Sequence, residues 1–129
     1  MASESSNIGT HSELRVATAL LANGYEVSKP FAPEVYDLSV RDPRNGEHFR
    51  VQVKTARYRE RENRQPAWVI DARKSNGEAY TPEEAEYIAG VTEDGVYLIP
   101  NTGQIEYWAR PDLIDSKWTR VEEAYQRQV

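Results

Sequence analysis

Two short segments decide how this chain is read: VYDLSV at 35–40 and FRVQVK at 49–54, separated by the turn-forming run Asp42-Pro43-Arg44-Asn45-Gly46. Side chains of a strand alternate between its two faces. Tyr36, Leu38 and Val40 therefore share one face while Val35, Asp37 and Ser39 take the other; in the second segment Phe49, Val51 and Val53 oppose Arg50, Gln52 and Lys54. Burying both apolar faces together pairs the strands as a hairpin, with Tyr36 opposite Val53, Leu38 opposite Val51 and Val40 opposite Phe49. The polar face then places Asp37 opposite Gln52, with Lys54 two residues further along. A slip of two residues would set Asp37 against Lys54, whereas a slip of one would bury charges, so parity is more firmly fixed than register.

Upstream, SELRVATALLANGY at 12–25 has Leu14, Ala17 and Leu21 at helical spacing, widened by Val16 and Leu20, with Asn23-Gly24 as a stop. Residues 1–8 are polar, Ser-rich and aperiodic, and are expected to form a flexible tail before a single domain over 9–129. Downstream, 57–66 is too polar for sheet core and reads as an exposed loop or a strand extension. AWVIDA at 67–72 is a third strand. A connection follows, with a turn at Ser75-Asn76-Gly77 and a short helical turn after Pro82. YIAGV and VYLIP form a second hairpin, QIEYWA adds a short strand, and DSKWTRVEEAYQRQ at 115–128 is expected to be a closing helix. This order implies an α/β fold, a central mixed sheet with flanking helices.

The chain has 129 residues, 39% hydrophobic and 29% charged, and contains no cysteine. That excludes a disulfide scaffold, a thiol nucleophile and any zinc site built on Cys, and it fits a reducing compartment. No apolar stretch approaches the roughly 18 residues of a membrane span, and MASESSNIG lacks the basic and apolar regions of a leader, so a cytoplasmic location is expected. The formal net charge is −5, but residues 41–74 carry ten basic and five acidic side chains. This stretch is a local positive field that can attract phosphates despite the acidic total.

The chemistry-bearing residues are Glu13 on the helix, Asp37 on the first strand, and Gln52 and Lys54 spaced as Q-x-K on the second. A carboxylate and an amide carbonyl are oxygen ligands suited to a hard cation such as Mg²⁺, which polarises phosphates and activates water. Lys54 can orient the attacking water or offset charge on the phosphoryl oxygens. Each residue also has a plainer role. Thr10-x-x-Glu13 is a capping box, Asp37 can be a solvated strand residue, and Q-x-K can be the polar side of an amphipathic strand. Arg57, Arg59, Arg61 and Arg64 follow the Q-x-K strand, where guanidinium groups could grip a DNA backbone; Tyr80 is a further candidate phosphate contact.

The pattern of Glu13, Tyr36-Asp37, a hairpin and Gln52-x-Lys54 resembles the PD-(D/E)XK nuclease superfamily, in the branch of archaeal Holliday-junction resolvases and a group I intron homing endonuclease whose last motif is also Q-x-K. The resemblance runs over about residues 9–100. It implies the restriction-endonuclease-like fold and a metal-dependent endonuclease hydrolysing DNA phosphodiesters. Asp37 and Gln52 would be metal ligands, Glu13 a helix carboxylate near the metal and Lys54 the catalytic lysine. Mg²⁺ is the implied ion, with Mn²⁺ a substitute, and duplex or branched DNA the partner. Gln52 stands where most members have a carboxylate. The alternative is a catalytically inactive DNA-binding or regulatory protein on the same fold. Cutting both strands with so small a subunit implies a homodimer or higher oligomer.

Overall fold

The computed structural model describes residues 3–121. Its elements are α1 (Glu4–Ala22), β1 (Glu26–Ser28), β2 (Leu38–Arg41), β3 (His48–Thr55), β4 (Arg57–Arg61), β5 (Arg64–Asp71), β6 (Tyr87–Val91), β7 (Val96–Pro100), β8 (Glu106–Ala109), α2 (Ile114–Lys117) and β9 (Thr119–Val121). The hairpin forms in the expected register, with Leu38 beside Val51 and Val40 beside Phe49. Its turn closes through Gly46 N–H donating to the Asp42 carbonyl at 2.7 Å, with Gly46 at φ 77°. Only glycine adopts that backbone without a steric cost.

A six-stranded sheet has the order β1-β2-β3-β6-β7-β9, and a smaller one the order β4-β5-β8. β3 and β6 run parallel, placing Gln52 beside Ile88 and Lys54 beside Gly90, while the other pairs of the larger sheet are antiparallel. The larger sheet buries both faces. Val16, Ala19 and Leu20 of α1 pack on Leu38, Val40, Val51, Val53 and Ala89. On the far face Ile88, Tyr97 and Ile99 meet Ile70, Tyr107 and Ala109 of the smaller sheet. A mixed sheet between a helix and a second sheet is the result. Alternation therefore assigns the two sides of β3 to different environments: Val51 and Val53 to the helix, Gln52 and Lys54 to the layer behind.

Four local expectations need revision. The helix starts at Glu4, with the Ser3 hydroxyl accepting from Ser6 N–H at 3.2 Å, so the expected tail over 1–8 is helical from Glu4. A capped first turn with an acidic residue sustains helix without an apolar stripe. For the same reason Thr10 is inside the helix and no capping box operates at Glu13. β1 is an extra strand on the β2 edge. The helix expected over 115–128 reduces to α2, after which Thr119–Val121 pairs with β7. Trp118 packs edge-on against Tyr97, with ring centroids 6.0 Å apart, and Val121 turns into the first core cluster. That burial outweighs the helical pattern; residues 122–128 of the expected helix lie outside the described residues. Over 57–66, the strand extension is what forms: a β4–β5 hairpin turning at Asn63, φ 68°.

Candidate active site

Asp37 precedes β2, at the point where the β2–β3 ladder gives out. Its backbone N–H donates to the Val51 carbonyl at 2.9 Å, and its Oδ2 accepts the Val53 N–H at 2.8 Å. The carboxylate thus takes a strand-edge donor that no further β2 residue can reach. Gln52 and Lys54 flank that amide along the chain. Gln52 is 9% exposed on the face shared with Ile88, and its side-chain amide forms no hydrogen bond to any described residue. Lys54 donates from Nζ to the Arg73 carbonyl at 3.3 Å and stands 5.3 Å from the centroid of the Tyr80 ring.

The electrostatics of Asp37 follow from this setting. Burial raises its carboxyl above the ordinary aspartate value; the Val53 N–H opposes the shift, the Glu13 charge adds to it, and Lys54 and Lys29 oppose it. A half-buried acid beside a second acid has a charge that its present neighbours do not fully offset. Glu13 lies on the helix side of the sheet and pairs with Lys29, Nζ to Oε1 2.6 Å. It shares with Asp37 the wall of an open cavity of about 250 Å³. Among the described residues no three His, Cys, Asp or Glu side chains group in a way that could hold a metal ion.

The candidate donors are two carboxylates and one amide, all offering oxygen, and burial is the largest cause of the upward shift of Asp37. These residues fit a hard divalent ion. Asp37 and Gln52 are the residues that would hold such an ion, while Glu13 is engaged by Lys29.

Arg57, Arg61 and Arg64 are exposed on the β4–β5 hairpin, whose register shifts between Arg59 and Arg61. Arg59 lines a cavity with Arg64, Trp108 and Arg110, and its buried Nε has no hydrogen-bond partner. Tyr80 is 7% exposed and belongs to the core between the two sheets, so its ring supports Lys54 rather than standing on the open surface. Its phenol is raised by burial and by the nearby Asp37 and Glu84 charges.

Several residues around the site belong to none of the motifs described above. Lys29 holds Glu13; a basic residue at the start of Lys29-Pro30-Phe31-Ala32-Pro33 was the available signal. Glu86 reads as part of an exposed acidic run with Glu83 and Glu84, yet it accepts both the Arg50 backbone N–H and its guanidinium, each at 2.6 Å, just before the β3–β6 ladder begins at Val51 and Tyr87. Glu84 and Thr81 exchange hydrogen bonds as a capping box after the turn. Only tertiary proximity identifies the Arg73 carbonyl beside Lys54.

Residues 3–125 match the family model of the PD-(D/E)XK endonuclease, and the chain belongs to that family. Its fold, the restriction-endonuclease-like one, is similar to that of the bacterial homing endonuclease I-Ssp6803I: TM-score 0.67, 20% sequence identity, 83% of this chain and 78% of that one covered. No curated protein matches the sequence. No described helix is long and apolar enough to cross a membrane.

Proposed function

We propose that this chain is a divalent-metal-dependent endonuclease that hydrolyses DNA phosphodiesters at Asp37, Gln52 and Lys54. The observation that carries the reading is the Asp37 carboxylate clamped on the Val53 N–H, between the Q-x-K side chains, with its acidity weakened by burial. A bound Mg²⁺, or Mn²⁺ in its place, supplies polarisation of the scissile phosphate and a more acidic water. The protein's part is positional. The Val53 amide fixes Asp37, the Arg73 carbonyl and Tyr80 ring fix Lys54, and Lys54 then offers an ammonium to charge developing on phosphoryl oxygens. Arg57, Arg59, Arg61 and Arg64 provide phosphate contacts on the duplex flanking the site, and a homodimer supplies the second cut.

The test is incubation of supercoiled plasmid, linear duplex and a four-way junction in Mg²⁺ or Mn²⁺, beside Lys54→Ala. Nicking that needs the metal and Lys54 supports the reading. Salt-sensitive DNA binding without any nicking would favour the inactive DNA-binding alternative, for which the pairing of Glu13 with Lys29 is the supporting observation.

A further inference from the structure

The segment joining β1 to Asp37 carries Phe31, a fully exposed aromatic on the rim of the cavity that Glu13 and Asp37 also line. A Phe side chain stabilises a fold by leaving water, so this one contributes nothing to folding where it stands. A single exposed apolar residue is ordinary on a protein surface where the chain is free to fold it away. Phe31 is not on such a surface. Pro30 and Pro33 have fixed φ, and Lys29 and Ala32, which precede them, are confined to extended backbone, so four of the five residues at 29–33 are conformationally restricted. The segment is also anchored at both ends, by Lys29 Nζ on Glu13 and by the Asp37 carboxylate on the Val53 amide.

The charges around Phe31 decide what it meets. Glu13, Glu34 and Asp37 line the same cavity, and its one cation, Lys29, is engaged by Glu13. Away from a cation held at Asp37, a phosphate gains nothing from that wall, whereas the neutral face of a nucleobase can stack there.

We propose that Phe31 is a preset apolar wedge that stacks on, or inserts beside, a base next to the phosphate held at Asp37, so that the preferred substrate is duplex DNA locally unstacked at the cleavage point. Aromatic and apolar wedges unstack base steps in this way, and each base–aromatic contact contributes appreciably to affinity. Because the loop is already stiff, little ordering cost opposes the contact. The inference rests on the DNA-cleaving reading above.

The test uses the full chain with Ca²⁺ in place of Mg²⁺, so that an ion can be held without rapid cleavage, and duplexes carrying 2-aminopurine at successive positions across the cleavage point. Binding of the native protein should brighten the probe at one position. Phe31→Ala should abolish that signal and weaken binding roughly 5- to 100-fold, while Phe31→Trp retains it. The slope of affinity against salt should be unchanged in Phe31→Ala, because an apolar contact releases no counterions; matching thermal melts show that the fold is intact. Native protein that binds DNA without brightening any probe, or a Phe31→Ala protein that still brightens it, overturns the wedge and leaves the nuclease reading standing. Loss of self-association in Phe31→Ala with DNA binding unaltered also overturns it, in favour of a second copy as the occupant. Native protein with no DNA affinity overturns both.

Discussion

The Asp37 carboxylate and the Val53 amide are joined by a 2.8 Å hydrogen bond, which puts the acid at the centre of the Q-x-K motif although fifteen residues of hairpin separate them in the chain. The bond fixes one carboxylate oxygen and leaves the other for a ligand. It also makes Asp37 a residue in which binding capacity and stability conflict.

Burial raises the Asp37 pKa in the folded chain, so ionisation disfavours folding as pH rises from the ordinary aspartate value of about 3.9 through the folded value. Asp37→Asn removes that penalty and keeps an oxygen to accept the Val53 N–H. Its melting temperature is expected to equal or exceed that of the native protein at pH 7 without metal, the difference vanishing near pH 3.5. Added Mg²⁺ should stabilise the native chain alone, and nicking should be lost. A variant less stable at pH 7 than at pH 3.5, relative to native, would refute the charge argument.

Gln52 offers the cation a neutral oxygen. Gln52→Glu adds a negative charge and should tighten Mg²⁺ or Mn²⁺ binding without necessarily speeding cleavage, since the new carboxylate can pair with Lys54 on the same strand face. Gln52→Ala should weaken both. Calorimetric titration of all three proteins beside cleavage assays decides it; equal affinities would remove Gln52 from the ligand set.

Lys54→Ala should lower the single-turnover cleavage rate by about 10²- to 10³-fold, the usual cost of deleting one transition-state electrostatic donor. Metal affinity should hold or rise, because a cation near Asp37 is gone. A rate within a few fold of native would mean that Lys54 only fills space over Tyr80.

Gly90 lies beside Lys54 in the sheet, and a Cβ there would come within 2.4 Å of Ile70 Cδ1. Gly90→Ala is expected to destabilise by about 1–3 kcal/mol through overpacking. Since the obstructing atom ends a flexible side chain, Ile70→Val should restore part of the loss. Denaturant titration of both single variants and the double variant measures the coupling; strict additivity would show that the layers do not touch there.

The basic hairpin is tested through salt. If Arg57 and Arg61 each meet a phosphate, Arg57→Ala and Arg61→Ala should each flatten the dependence of log affinity on log salt by about 0.9 for duplex DNA. An unchanged slope would leave those residues solvated.

Much of this protein follows from local rules. Alternation in 35–40 and 49–54 is a property of the strand itself, so the pairing of Leu38 with Val51 and of Val40 with Phe49 was legible, as were the second hairpin and the Asn23-Gly24 helix stop. The Asp, Gln and Lys positions come with that pattern. Other features depend on neighbours distant in sequence. Trp118 and Val121 abandon a helical pattern because Tyr97 and the β7 edge are there to bury and pair them. Tyr80 comes under Lys54, and the Arg73 carbonyl reaches it, only because the smaller sheet packs across the larger one. Glu13 meets Lys29, and Phe31 stands clear beside Asp37, because β1 returns along the edge of the sheet that α1 covers. The sequence alone determined which residues share a strand face, since this needs only a two-residue period, while the choice between registers two residues apart was settled by the fold. Tertiary structure decided which of those groups are buried, paired or left reaching outward, since burial and charge depend on what long-range packing brings within a few ångströms.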